Sequence, residues 1–166
     1  MMSLIDISPR VSPNIAVWPG DVPFSREIAL DMKAGANLTL SSIRSTLHVG
    51  AHADGPNHYV KHGVGIGERP LDLYYGPCQV MKVPVERGVR IRPRDLPCEI
   101  DAPRLLLRTD TFPDPNHFNE DFASLSAELV EHFAGQGVKL VGIDTPSVDL
   151  FSDKDLESHN IIAKHD

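Results

Sequence analysis

The sequence has few of the features that stabilise small secreted proteins or that hold a chain in a membrane. Its 166 residues include two cysteines, Cys78 and Cys98, which form no CxxC pattern. We interpret both as reduced, buried thiols. No apolar run reaches the roughly 18 residues of a membrane span, and no basic region precedes an apolar stretch at the N-terminus. These absences predict a cytoplasmic protein that does not bind a membrane.

Basic residues are also scarce. Sixteen Lys and Arg stand against twenty-three Asp and Glu, which gives a formal net charge of -7, and no basic run is present. Nucleic acid is therefore not an expected partner. The sequence contains no Walker loop, no dinucleotide-binding glycine pattern and no serine nucleophile elbow. An organic cofactor is not indicated.

What is present is typical of a globular enzyme-sized chain. The apolar fraction of 41% and the charged fraction of 23% are ordinary. The length corresponds to about one domain of common size. We therefore predict a single domain over residues 1–166.

Short β-rich runs, separated by prolines and glycines, occupy much of the first hundred residues. Two later apolar runs without polar alternation suggest strands that are covered on both faces. A helix between them, from Ser124 or Ser126 to Gly135 or Gly137, makes a strand–helix–strand crossover and predicts the α/β class. The predicted strands are Leu4 to Ile7, Phe24 to Leu30, Leu38 to Ser45, Cys78 to Val83, Leu105 to Leu107 and Val138 to Ile143.

A second helix is indicated near the end of the sequence. Ser152 and Asp155 form a pattern like a capping box at its start. Leu156, His159 and Ala163 then share one face, so we expect His159 on the packed side of this helix.

The histidines are concentrated in one segment. Three of the eight lie among the eleven residues from His48 to His58. Gly50, Gly55 and Pro56 favour an irregular loop that leaves a strand, which is where ligands often bind. The alternative is that His48 and His52 are ordinary loop residues whose side chains are hydrogen-bonded to the backbone.

Imidazole and carboxylate groups in this pattern suit a divalent metal. His48, His52 and Asp54 supply three ligands, and Asp54 could bridge to a second ion for which His159 is a candidate ligand. His58, after the rigid Gly55-Pro56 turn, suits either a proton carrier or a fourth ligand. His52 and Asp54 with a distant histidine also fit an iron triad, although that reading leaves His48 and His58 without a role.

Trp18 is the only tryptophan and lies in a Val-Trp-Pro-Gly turn. A lone tryptophan is most often a core residue, whereas the flanking Pro19 and Gly20 favour a surface or a pocket wall. Both interpretations remain open on the residues alone.

The pattern His48-x-Gly50-x-His52-x-Asp54-x-Pro56-x-His58 resembles the signature of the metal-dependent cyclase-like hydrolase family. Within it, the chain is similar to the bacterial kynurenine formamidase (arylformamidase) branch, and the similarity runs from Asp6 through His159. It includes Val17 to Asp21, Leu106 to Thr109 and Gly142 to Ser147.

The resemblance implies a zinc ion on His48, His52 and Asp54, and a second on Asp54 and His159. It further implies that His58 donates and accepts the proton and that Trp18 lines the substrate pocket. The implied fold is an α/β domain with a mixed, partly barrel-like sheet, and the implied assembly is a homodimer or a higher oligomer.

The activity that the resemblance implies is hydrolysis of N-formyl-L-kynurenine to L-kynurenine and formate, in tryptophan degradation. One alternative is hydrolysis of another small amide or cyclic amide, such as isatin. The other is a protein that binds metal without catalysis. Many family members have threonine at the position of Ala51. They also continue a few dozen residues further and complete the second metal site with a glutamate there, so we expect this chain to lack its C-terminal segment.

Overall fold

The computed structural model describes residues 4–165 and has the α/β class that the sequence predicts. By its internal contacts the chain divides into two units. The first unit contains residues 4–53 and 114–118, and the second contains residues 54–113 and 119–165. The single domain over residues 1–166 stays a prediction.

The first unit contains an antiparallel hairpin. Strand β1 (Ser25–Leu30) pairs with β2 (Leu40–Arg44), which confirms the strands predicted at Phe24 to Leu30 and Leu38 to Ser45. Every residue of the two strands is exposed. The strand predicted at Leu4 to Ile7 is wrong, because these residues are exposed and pair with no strand in the described part of the chain.

The second unit contains the remaining strands and both helices. These elements are β3 (Gln79–Lys82), β4 (Arg90–Ile91), β5 (Arg104–Arg108), β6 (Ser124–Leu125), α1 (Ala127–Gly135), β7 (Leu140–Ile143) and α2 (Glu157–His165). Three of the strands form a parallel sheet in the order β3-β5-β7, and β4 pairs with β6 in parallel. Across residues 4–165 the strands form open sheets and close no barrel.

The hydrophobic core of this unit lies where α1 packs on the sheets. Ser126 caps α1, since its Oγ accepts a hydrogen bond of 3.1 Å from the backbone N–H of Leu129. Leu129 and Phe133, one turn apart, are buried. Burying a leucine or phenylalanine side chain contributes about 1.5–3 kcal/mol. The strand residues of the core are Met81, Ile91, Leu105, Leu107 and Leu125.

The start of α2 differs from the sequence prediction. The cap is not Ser152 with Asp155. Instead the carboxylate of Asp153 accepts hydrogen bonds from the backbone N–H groups of Asp155, Leu156 and Glu157. Leu156 has a φ of 53°, which delays the helix until Glu157. His159 is on the packed face of α2, as predicted, and is 8% exposed.

Both cysteines are exposed, which corrects the prediction that they are buried. Cys78 precedes the first residue of β3, and Cys98 lies in the loop before β5, so neither occupies an inward-facing strand position. Among the described residues, no helix has the length and apolar character needed to cross a membrane.

Candidate active site

The rings of His48 and His52 lie side by side in the first unit. His48 Nδ1 is 3.1 Å from His52 Nε2, and the ring centroids are 5.0 Å apart. His52 Nδ1 is 3.0 Å from the Gly50 carbonyl oxygen. A carbonyl only accepts hydrogen bonds, so we assign the hydrogen of neutral His52 to Nδ1, which leaves Nε2 with a lone pair.

Gly50 makes this arrangement possible. Its φ is +64°, a conformation that side chains disfavour, and a Cβ at this position would lie 3.0 Å from Val11 Cγ2. The reversal at Gly50 directs its carbonyl oxygen toward His52. The glycine therefore holds two histidines, four residues apart, with their nitrogen atoms in contact.

The Trp18 turn is hydrogen-bonded, just after Asp21, to the residues that follow strand β2 in the first unit. Its backbone is closed by a 2.9 Å hydrogen bond from Asp21 N–H to the Trp18 carbonyl oxygen, and Thr46 N–H donates to Val22. The hydrogen bond from the Thr46 side chain, with that from Val22 N–H, lowers the pKa of the Asp21 carboxyl, and the charge of His48 adds to the effect. Trp18 is 36% exposed and meets Phe118 edge to face at 5.5 Å.

The second unit begins with Asp54, and His58 follows it on a short 3-10 turn, Pro56–His58. One carboxylate oxygen of Asp54 and one ring nitrogen of His58 lie within 4.8 Å of each other. The turn is closed by His58 N–H, which donates to the Gly55 carbonyl oxygen at 2.9 Å. A Cβ on Gly55 would lie 2.6 Å from the Ile66 backbone nitrogen, so the turn requires glycine there.

His159 lies near His58 within this unit. Their ring centroids are 5.9 Å apart, and the ring of Tyr59 is 5.8 Å from that of His159. His159 Nδ1 is 2.7 Å from a carboxylate oxygen of Asp149, which is fully buried. Burial alone would raise the pKa of Asp149, but hydrogen bonds from His159, the Ser158 backbone and Arg90 outweigh it and hold that pKa far below its usual range.

A known protein family matches most of the chain, including the whole signature from His48 to His58. Residues 5–150 match the family described as "Putative cyclase". The chain belongs to the cyclase family.

Several solved structures share this fold. One, described as a potential metal-dependent hydrolase with cyclase activity, has a TM-score of 0.77 at 18% identity and aligns over 97% of this chain and 76% of its own. A predicted metal-dependent hydrolase from Bacillus stearothermophilus has a TM-score of 0.77 at 19% identity, over 97% and 77% of the two chains. A structure described as a novel cyclase has a TM-score of 0.69 at 12% identity, over 92% and 67%. At these identities the likeness concerns the fold.

Within each unit, this cyclase-family chain brings the predicted site residues together. His48 and His52 are adjacent in the first unit, and His58 lies near both Asp54 and His159 in the second. Only Ala53 separates His52 from Asp54 in the sequence. Their roles as metal ligands, proton carrier and, for Trp18, pocket residue stay predictions.

Asp149 is the residue of this region that the sequence did not reveal. It follows the loop after β7 and lies ten positions before His159. A single aspartate after an apolar run is a common turn residue, so only a motif pairing it with the α2 histidine could have drawn attention to it.

Proposed function

We propose that the chain is a metal-dependent hydrolase that converts N-formyl-L-kynurenine to L-kynurenine and formate with zinc as the metal. The observation that carries the proposal is the contact between His48 Nδ1 and His52 Nε2 in a segment that continues, after Ala53, to Asp54. Membership of the cyclase family and a fold shared with proteins described as metal-dependent hydrolases support it. The proposed assembly is a cytoplasmic homodimer.

The donor atoms suit zinc. Two nitrogen ligands on a tetrahedral zinc ion, each at about 2.0–2.1 Å, lie about 3.3 Å from each other. The His48 and His52 nitrogens are separated by 3.1 Å, which is close to this value. Their contact now requires a hydrogen on one of the two atoms, and a cation can replace that hydrogen. Asp54 adds the carboxylate that a catalytic zinc site commonly includes.

The proposed ligands of the first ion are His48, His52 and Asp54, and those of a second ion are Asp54 and His159. When bound, such a metal polarises a carbonyl group and lowers the pKa of water toward ~7. The hydrolysis itself is simple in its balance. The oxygen of water bonds to the formyl carbon, the C–N bond breaks, one proton of the water goes to the nitrogen, and formate leaves with release of the other proton.

His58 is proposed to give the proton to the departing aniline nitrogen. It is exposed, on a turn that Gly55 and Pro56 hold in one conformation, and close to Asp54. An imidazole can both take and release a proton near neutral pH. General acid catalysis of this kind contributes typically about 100-fold to 10,000-fold in rate.

Trp18 is proposed to pack against the aromatic ring of the substrate. Its ring is partly exposed and is held edge to face against Phe118. A rigid aromatic surface of this kind orients a flat substrate at little entropic cost.

The test is formate release from N-formyl-L-kynurenine by the full chain and by His58→Ala, with the zinc content of both determined. We expect zinc-dependent release by the wild-type chain, and a fall in kcat of about 100-fold or more for His58→Ala with zinc retained. His62→Ala is the matched control, because His62 is an exposed histidine four residues further along with no proposed role. In the same assay, Trp18→Ala should raise KM more than it changes kcat.

The outcomes separate the parts of the proposal. Release that continues after zinc is removed would refute the metal-dependent mechanism. Zinc binding without release would refute the hydrolysis of N-formyl-L-kynurenine by this chain. Equal losses in His58→Ala and His62→Ala would show that His58 has no specific role, and an unchanged KM in Trp18→Ala would exclude its contact with the substrate.

A further inference from the structure

Asp149 is a fully buried carboxylate to which the proposed mechanism assigns no role. It lies in the segment between β7 and α2, and its side chain is about 1% exposed. An ionised carboxylate in such a place is costly unless it is fully hydrogen-bonded. What surrounds it therefore indicates what it does.

Four donors converge on the two oxygens of Asp149. Oδ1 accepts from Arg90 Nη1 at 2.9 Å and from the Ser158 backbone N–H at 2.9 Å. Oδ2 accepts from the His159 backbone N–H at 3.1 Å and contacts His159 Nδ1 at 2.7 Å. Arg90 and the two backbone N–H groups can only donate, and the guanidinium 2.9 Å from Oδ1 favours the charged form of the carboxyl. At neutral pH the carboxylate is therefore ionised and accepts from all four partners.

The position of the hydrogen on the fourth partner, the His159 ring, follows from this. Since Asp149 Oδ2 only accepts, His159 Nδ1 carries a hydrogen. In the neutral ring the lone pair then belongs to Nε2. The short distance of 2.7 Å and the burial of both side chains favour this one tautomer.

Arg90 keeps the carboxylate from turning. Besides Asp149, its guanidinium donates to Asp153 and to the Leu125 carbonyl oxygen, so β4, β6 and the segment before α2 are joined at one cation. Rotation of Asp149 would break the bond to Arg90 together with the two backbone bonds from α2. The position of the carboxylate is therefore set jointly by Arg90 of β4 and by the backbone of the helix that bears His159.

We propose that Asp149 is a positioning residue that holds His159 in the tautomer with hydrogen on Nδ1, so that Nε2 presents its lone pair to a metal ion. The proposal rests on the proposed function insofar as it names the metal. Histidine ligands commonly donate their second ring N–H to a carboxylate, which fixes the ring and strengthens the ligand. The donor set at Asp149 has this form.

The substitution Asp149→Asn gives a specific expectation. Its amide has one accepting oxygen and one donating NH₂ group. With the oxygen toward Arg90, the guanidinium and the Ser158 backbone N–H keep their acceptor. The NH₂ group then faces His159 Nδ1, and the hydrogen bond from the His159 backbone N–H is lost. The opposite orientation places NH₂ against the guanidinium, which is less favourable. The amide should therefore donate to Nδ1 and move the ring hydrogen to Nε2.

The experiment is nitrogen NMR of the full chain labelled at histidine, without metal, at a pH where the His159 ring is neutral. In the wild-type chain we expect the pattern of a ring protonated at Nδ1. In Asp149→Asn we expect the pattern of a ring protonated at Nε2. A His159→Gln variant assigns the signal.

Ser158→Ala is the control for loss of stability alone. It removes the 2.9 Å hydrogen bond from Ser158 Oγ to the Leu125 carbonyl oxygen, but it leaves the Ser158 backbone N–H and the Asp149 carboxylate in place. We expect this variant to unfold at a lower temperature and to keep the wild-type tautomer. If the role of Asp149 were purely structural, Asp149→Asn would behave like Ser158→Ala and would lose stability while keeping the wild-type tautomer of His159.

A second readout is zinc affinity, measured by competition with a chelator. Asp149→Asn should weaken the binding to which His159 contributes by about 10-fold to 100-fold, while Ser158→Ala should not. A wild-type ring protonated at Nε2 would overturn the proposal even if Asp149→Asn failed to fold. A wild-type chain that shows the expected tautomer but binds no zinc would contradict the proposed function and leave the positioning of His159 by Asp149 standing.

Discussion

His52 and His159 share one feature, since a ring N–H of each donates a hydrogen bond to an acceptor held in place by the fold. For His52 the acceptor is the Gly50 carbonyl oxygen, and for His159 it is Asp149. In both rings Nε2 is the nitrogen left with a lone pair. The difference is the charge of the acceptor, since a carboxylate strengthens the ligand more than a carbonyl does.

The loop conformation at Gly50 gives a prediction at the residue scale. Gly50→Ala introduces a side chain at a φ of +64° and brings its Cβ to 3.0 Å from Val11 Cγ2. Backbone strain of this kind costs about 1–3 kcal/mol. We expect a lower free energy of unfolding in urea and weaker zinc binding, because the Gly50 carbonyl oxygen orients His52.

Gly137→Ala is the matched control for this substitution. Gly137, in the loop after α1, has a φ of +75°, but a Cβ there would meet nothing within 4 Å, so the substitution strains the backbone without a steric contact and far from the sequence of the His48–His52 loop. It should lose stability and keep its zinc affinity. If both variants bind zinc as the wild type does, Gly50 does not set the position of His52.

At the scale of elements, the strands and helices with strong local patterns were predictable. Leu105 to Leu107 and Val138 to Ile143 are mostly apolar and lack polar alternation, and they lie in neighbouring parallel strands. The helix predicted to start at Ser124 or Ser126 is α1, and Ser126 is its cap. The strands β4 and β6 were not predictable, since each has two residues and depends on the other for its hydrogen bonds.

The start of α2 shows why local patterns fail at some boundaries. Ser152 and Asp155 have the spacing of a capping box, but Asp153 also pairs with Arg90, more than sixty positions earlier. That distant charge fixes the Asp153 carboxylate where it meets three backbone N–H groups. A tertiary contact therefore selected the cap.

This cap predicts a pH dependence. Burial would raise the pKa of Asp153, but the hydrogen bond from Arg90 and those from the backbone N–H groups outweigh it and lower that pKa. A lowered pKa stabilises the folded state above the unfolded-state value of ~3.9, and this contribution is lost as the pH falls through the lower folded-state pKa. Asp153→Asn should therefore lose about 1.5–3 kcal/mol at pH 7.

Urea unfolding at pH values from 7 down to 3 measures this effect. The difference between the wild type and Asp153→Asn should shrink as the pH falls below ~4. Asp155→Asn is the control, since it makes the same chemical change at an exposed aspartate two residues away. A difference that is constant over this pH range would show that Asp153 acts through its shape and not its charge.

At the scale of the whole molecule, the part of the site that could be predicted is the part that is local in sequence. His48 to His58 stands out because three histidines and an aspartate fall within one short loop. Asp149 could not be found in this way, since its partners Arg90 and His159 meet it only through the fold of the second unit. Sequence patterns thus identify ligands more readily than the residues that orient them.

Zinc binding to the folded chain should raise its stability as a whole. A ligand at 100 times its Kd stabilises the folded state by about 2.7 kcal/mol, which for a chain of this length corresponds to a rise in Tm of roughly 5–11 °C. We expect this rise in the wild type and in His62→Ala, and its loss in His48→Ala, measured by calorimetry with and without zinc. Because an unfolded chain with eight histidines can also bind zinc, the rise should be read at micromolar zinc. A rise that persists in His48→Ala would place the stabilising metal on other residues and would contradict the ligand set proposed for the first ion.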